Sequence, residues 1–442
     1  MFFRKKRLLV IILINFIIFQ VAIPFIANSS LSLSPNLETD NQKHMNNPQS
    51  ISEREFLMGM NPHPRQFGNE SLSEEEQQEY MDEAFNLGKS SMELYPRWPS
   101  IKWYELKTKM PSEHFQLYKE AFGWLPMIYV KTVEYYLAED PPGNYSWHIK
   151  PLLSSNQPEG LKFNDSQFIE DVSAELTEFC TMDPGPEVVF LGNEINQIYE
   201  IEGEQTFFEY ADGMKQIAQN VRMAEQVSEQ LKLGVVLSHT QMLVNITSWE
   251  PWSKDRLWMI ECFNGENGLD IIGLNSYPFK SNYANPEDIP AEYYTQIEQY
   301  TTNPIWFTEI AWPSGADYNS SEEEQATFLT HFIEITKNMN LEALCWISMH
   351  DFSDSTMYED HVLSWGLRDV NSNPKQAWNV WQDLFALNVT GPMQSYLPIP
   401  GSTASPSSMA TVFFILFFGV TPSLICATTV ILVIRKKRRK KE

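Results

Sequence analysis

Metal-ligand spacings, glycine-rich phosphate loops and an excess of positive charge are all missing from this sequence. It holds only four cysteines in 442 residues. Cys426 lies inside an apolar run, which leaves Cys180, Cys262 and Cys345, enough for one disulfide at most. A disulfide scaffold is excluded, and the spacings do not suit a zinc site. No His-x-His pair closes the first strand-like run, and His239, His350, Asp351 and His361 fall at no ligand spacing, so no metal is expected. No dinucleotide fingerprint occurs, and no cofactor is implied. Basic residues are scarce outside the termini. Eleven of the 32 Lys and Arg sit in two terminal clusters and one of the 57 acids is Glu442, so the body carries 21 basic against 56 acidic residues, a net charge of −35. Such a surface repels nucleic acid and polyanionic glycans and suits a neutral ligand. No protein partner is implied, and no repeat at solenoid periods is present.

Both ends are apolar. Arg4-Lys5-Lys6-Arg7 precedes an apolar run over 8–26, so 1–30 reads as a signal peptide or an uncleaved signal anchor; the small residues at 27–30 suit cleavage. A polar segment, 31–52, reads as a flexible linker. At the other end 388–408, rich in Ser and Pro, reads as a stalk. Residues 409–434 are apolar enough to span a bilayer as a transmembrane helix, and the basic tail 435–442 marks the cytoplasmic side. The expected location is therefore the cell membrane. The body, 53–387, would be extracellular and tethered to the lipid bilayer through the C-terminal helix, with two passes if the first segment is retained. Seven Asn-x-Ser/Thr sequons, at Asn28, Asn69, Asn144, Asn164, Asn245, Asn319 and Asn388, suit an exported chain.

Within the body, strand-like runs alternate with helical patterns. The strands are expected at 56–60, 91–95, 124–130, 188–191, 233–237, 269–275, 304–310 and 343–348. Helices are expected at 73–87, 166–179, 205–231, 322–338 and 374–387. Eight such units over this length predict an α/β fold, the (β/α)8 TIM barrel.

Two of the strands end on a carboxylate. Val188-Val189-Phe190-Leu191 stops at Gly192-Asn193-Glu194, and Ile305-Trp306-Phe307 stops at Thr308-Glu309. The C-terminal strand ends of such a barrel are where catalytic groups sit. Hydrolysis of a sugar acetal needs one carboxylic acid to protonate the departing oxygen and one carboxylate to attack the anomeric carbon. Glu194 and Glu309 could supply the pair. A single strand-end glutamate is more often a helix cap or a surface ion pair; two at barrel spacing argue for catalysis.

Leu191-Gly192-Asn193-Glu194 together with Thr308-Glu309-Ile310-Ala311-Trp312-Pro313-Ser314 resembles the retaining β-glycosidases of glycoside hydrolase clan A. Asp270-Ile271-Ile272-Gly273-Leu274-Asn275-Ser276-Tyr277-Pro278-Phe279 is similar to the endo-β-1,4-galactanases (arabinogalactan galactanases), and Glu309-Ile310-Ala311-Trp312-Pro313-Ser314 to the endo-β-1,3-glucanases. His63 departs from the galactanase pattern. The resemblance implies Glu194 as acid/base, Glu309 as nucleophile, and Asn193 bonded to a sugar hydroxyl. It further implies Tyr277 bonded to the nucleophile, Arg97 bracing it, and Trp346 beneath the sugar. His239 and Gln241, with Asn61 and His63, are strand-end polar groups suited to sugar binding. Trp98, Trp103, Trp124, Trp312 and Trp365 could line subsites, Trp312 directly after the nucleophile strand. For Trp346 and Tyr277 the bland alternative is ordinary core packing; for Arg97 it is a surface position.

The function these features support is a membrane-tethered, outward-facing retaining β-glycoside hydrolase acting on a neutral polysaccharide or oligosaccharide. A non-catalytic carbohydrate-binding barrel and a metal-dependent barrel hydrolase are the alternatives.

Overall fold

Short runs of β-branched and aromatic residues, buried on both faces, pair only with one another, because any exposed edge would leave backbone groups unsatisfied. In the computed structural model, which describes residues 53–67, 72–140, 144–245, 255–265, 267–281, 283–353 and 363–397, eight such runs close into a barrel. They are β1 (Leu57–Met60), β2 (Leu94–Lys102), β3 (Leu125–Lys131), β4 (Val188–Phe190), β5 (Lys232–Ser238), β6 (Ile271–Ser276), β7 (Ile305–Ile310) and β8 (Leu341–Trp346). All neighbours are parallel and follow chain order around the ring, β8 closing on β1. The expected barrel is therefore present.

Strand alternation sorts the side chains into two layers. Leu94, Met127, Phe190, Val236, Trp306 and Cys345 fill the interior. Their strand neighbours face outward and join the layer beneath the helices. That outer layer is covered by α1 (Glu74–Gly88), α2 (Ser166–Cys180), α3 (Gln197–Glu202), α4 (Glu204–Arg222), α5 (Glu322–Thr336) and α6 (Gln376–Phe385). The start of α1 is fixed by reciprocal capping: Glu76 N–H donates to Ser73 Oγ (3.2 Å), and Ser73 N–H to the Glu76 carboxylate (2.8 Å).

Residues 388–397, read from sequence as the start of a stalk, close the barrel's floor. Asn388–Val389 pairs in parallel with Glu53–Arg54, and Met393 is fully buried against the interior residues. At the opposite mouth, an antiparallel hairpin follows β3, with Val133–Asp140 paired to Asn144–Pro151. The sequence pattern alone did not predict it.

The transmembrane helix included in the expected fold must be corrected. Among the described residues, no helix is long and apolar enough to cross a membrane. The leader at 1–30 and the span expected at 409–434 lie outside the described residues. The tether, the lipid-bilayer partner and the extracellular cell-membrane location all rested on those two segments, and they are withdrawn.

Candidate active site

β4 ends at Phe190, and the chain leaves the barrel by a sharp turn that delivers Glu194. Gly192 sits at φ 145° and Glu194 at φ 52°, in the left-handed region. A non-glycine residue held there stores strain, a feature found most often where a side chain must be aimed. Two ladder bonds to β5 hold the turn: Val236 N–H donates to Gly192 O (3.2 Å) and Ile195 N–H to Val236 O (3.1 Å). A Cβ on residue 192 would lie 2.3 Å from the Tyr210 hydroxyl and 2.5 Å from Ile195 Cγ2. Gly192→Ala should therefore cost on the order of 3 kcal/mol of stability, combining backbone strain with overpacking. Denaturant titration measures this, and an unchanged midpoint would contradict the packing described.

Glu309 arrives on β7 through a register shift. Phe307 aligns with Leu274 of β6 and Glu309 with Asn275, so Thr308 is an extra residue between them. Such a bulge re-aims the side chain that follows it. The Tyr277 hydroxyl, just past β6, donates to Glu309 Oε2 at 2.5 Å. Tyr277 is itself fixed by its N–H, which donates to Thr240 Oγ1 (2.8 Å).

Asn275, fully buried at the end of β6, ties the two carboxylate strands together. Its amide donates to Asn193 Oδ1 (3.2 Å) and Glu194 Oε1 (3.4 Å), while its carbonyl accepts from Thr308 Oγ1 (2.7 Å). Gln197 Nε2 donates to the other oxygen of Glu194 (3.1 Å). Neither Asn275 nor Gln197 was singled out from the sequence, although Asn275 stands in the motif quoted above.

The two carboxylates sense one another. Burial, and then the charge of Glu194, pushes Glu309 up to about 8, against the Tyr277 hydrogen bond. Burial also raises Glu194, but Asn275, Lys280 and Gln197 among others pull it back. Both carboxyls are thus held above the usual carboxylate range, so the pair as a unit keeps a proton to higher pH than two isolated glutamates would. Below the pair lies Tyr129, which stacks on Phe190 (centroids 5.5 Å apart, 17° between planes). Its hydroxyl is buried without a hydrogen-bond partner, and the charge of Glu309 is among the influences on it.

The remaining expected residues separate. The charge of Arg97 acts on His114 and Tyr118, on the helical connection after β2. Trp346 does not floor the pocket. Ala343 and Cys345 take the interior positions of β8, so Leu344 and Trp346 face the helices. Trp312 stacks on Phe328 of α5 (5.3 Å, 25°) and donates to Ser320 Oγ (3.0 Å) in the same outer layer. His239 is fully buried against Tyr293 and Tyr294, with Nδ1 3.1 Å from Ser276 Oγ; burial lowers its pKa to about 3 and keeps it neutral. Trp103 and Trp124 are also core residues, and the side chain of Trp98 is outside what is described.

Trp365 joins the site through Tyr277. Its ring lies on that of Tyr277 (5.0 Å, 14°). Trp346 supports it from below by donating to the Trp365 carbonyl (2.6 Å). The same loop is pinned by Asp351, which accepts from Gly366 N–H (2.8 Å) and from the buried Lys375 (2.6 Å). Among the described residues, no group of three or more His, Cys, Asp or Glu is placed to hold a metal ion.

No protein-family model and no curated protein matches this chain. Among solved structures, it is similar to an exo-β-1,4-mannosidase from Opitutaceae bacterium strain TAV5. That match has a TM-score of 0.50 and 13% identity, covering 81% of this chain and 64% of the mannosidase. A family 39 glycoside hydrolase from Bacteroides cellulosilyticus WH2 has a TM-score of 0.48 and 15% identity, over 76% of this chain and 64% of that one. A β-glucuronidase from Bifidobacterium dentium follows at 0.45 and 10%, over 75% of this chain and 46% of that one. The chain thus spans less than two thirds of these proteins, and at such identities the likeness speaks for the fold. The chain is a parallel eight-stranded barrel resembling those of clan A glycoside hydrolases, and the galactanase and glucanase families suggested by its motifs are not shown.

Proposed function

We propose that this barrel is a retaining β-glycoside hydrolase that cleaves a neutral oligosaccharide or polysaccharide by double displacement. One observation carries the reading: the buried Glu194 and the partly buried Glu309 come from strand ends β4 and β7 into one site, tied by Asn275, Thr308 and Tyr277. Withdrawing two neighbouring acids from water raises the free energy of the fold. A barrel that only bound sugar would gain nothing from that arrangement.

In the first step Glu309 attacks the anomeric carbon as the bond to the leaving oxygen breaks, and Glu194 gives that oxygen its proton. In the second step Glu194 takes a proton from water, which attacks the same carbon and releases Glu309 as a carboxylate. For this step the pair's proton has to sit on Glu194. Bound substrate supplies the drive, by placing an acceptor, the glycosidic oxygen, at Glu194 and a donor hydroxyl at Glu309. Tyr277 then holds the ionised nucleophile.

A panel of neutral β-linked glycans tests this, with proton NMR reading the anomer released first. The expected first product is the β-anomer, which later mutarotates. Release of the α-anomer first would overturn double displacement.

A further inference from the structure

The two faces of the hairpin after β3 differ in chemistry. On the outer face Tyr136 stacks on His148 (5.5 Å, 30°), Lys150 lies over Tyr136 (5.1 Å) and pairs with Glu134 (3.5 Å), and His148 Nδ1 is 3.2 Å from the Glu202 carboxylate of α3. Alternation puts Val133, Tyr135 and Leu137 on the inner face, opposite Ile149 and Trp147 of the return strand, with Tyr145 next outward.

This inner face begins at the candidate acid/base. Val133 and Ile149 are buried at its root. The Tyr135 hydroxyl donates to Gln197 Oε1 (3.2 Å), and Gln197 Nε2 in turn donates to Glu194 (3.1 Å). The charge of Glu194 also acts on Tyr135. Moving outward, Trp147 is half-buried, while Leu137 is 44% and Tyr145 50% exposed. A largely aromatic strip, with the exposed Glu139 opposite Tyr145 at its outer end, therefore runs from the residue that would touch the departing oxygen out into solvent.

We propose that this strip is the binding surface for the leaving-group side of a neutral β-linked glycan, a proposal that rests on the hydrolase reading above. Sugar rings present axial C–H groups that pack on aromatic faces, and their rims keep their hydroxyls in water. The occupant is neutral because the chain's formal net charge of −25 disfavours polyanions. It lies on the leaving-group side because Glu194, rather than Glu309, is where the strip starts.

The test compares a neutral β-linked hexasaccharide with an aryl β-glycoside of the same sugar, using Tyr145→Ala and Trp147→Ala in the full chain. For the hexasaccharide, kcat/KM should fall about tenfold more than for the aryl glycoside, equivalent to ~1.4 kcal/mol per lost contact. Tyr136→Ala, on the outer face, is the control and should leave that ratio unchanged. Equal losses on both substrates, or no change in the ratio, would overturn the proposal. If the wild type cleaves neither substrate, hydrolysis fails but the surface is still tested. Hexasaccharide binding by calorimetry should then weaken about tenfold in both inner-face variants, and equal binding by all variants would sink the surface. Concentration-dependent dimers that Tyr145→Ala abolishes would assign the strip to a second copy of the chain instead.

Discussion

Glu309→Ala should lower kcat on the order of 10⁵-fold, the scale on which losing an attacking group acts. The Glu194→Ala loss should depend on the leaving group: roughly 10²–10⁴-fold for an ordinary glycoside, where general acid help matters, and little for a good leaving group such as dinitrophenolate. Azide then reads the stereochemistry of each step. In Glu309→Ala it occupies the space left by the nucleophile and attacks once, giving an α-glycosyl azide. In Glu194→Ala it attacks the glycosyl-enzyme formed on Glu309, giving a β-glycosyl azide after two inversions. Because the two carboxyls titrate as a pair, the azide products decide which residue plays which role. A β-azide from Glu309→Ala with an α-azide from Glu194→Ala would exchange their roles. An inability of azide to restore either variant, with both still folded, would count against a glycosyl-enzyme altogether.

What the sequence made legible follows from burial. The second half of the barrel could be read because its strands are unbroken apolar runs ending on a polar residue, and that same break marked Glu194 and Glu309. The information that places a side chain inside or outside the barrel is absent from such runs. In Ala343-Leu344-Cys345-Trp346 every residue is apolar, so nothing distinguishes the interior pair from the outer pair, and Trp346 was assigned to the wrong side. β2 runs through Pro96 and Pro99 and shifts register against β3 between Arg97 and Ile101, so strand-end counting is ambiguous around Arg97. The hairpin did have a signal, since two aromatic-containing runs flank Pro141-Pro142-Gly143 and the second, Asn144-Tyr145-Ser146-Trp147-His148-Ile149, alternates. Asn275 and Gln197 had none, because their importance lies in contacts between strands that only the closed barrel brings together.

The second large effect concerns stability and needs no substrate. Burial raises Glu309 from 4.5 to about 8, so its protonated form is the one the fold prefers. Below pH 4.5 the folded and unfolded chains both hold that proton, and the site imposes no penalty. As pH rises, the unfolded chain ionises while the folded one keeps the proton, and wild-type stability falls until the folded group also ionises near pH 8. Glu309→Gln is neutral throughout and escapes this loss. Its advantage over wild type should be near zero at pH 4.5 and grow by about 1.4 kcal/mol per pH unit, reaching roughly 3 kcal/mol at pH 7. For a domain of this size that is roughly 5 °C in Tm, seen as a gap between two melting curves that widens with pH. Glu194→Gln should shift in the same direction but less, because Asn275, Lys280 and Gln197 stabilise its charged form. Such a gain from deleting an acid marks a residue kept for its chemistry at the expense of the fold. A wild type that outlasts Glu309→Gln at neutral pH, or a gap that ignores pH, would mean that the carboxylate is solvated or paired, and the shared-proton site described here would not exist.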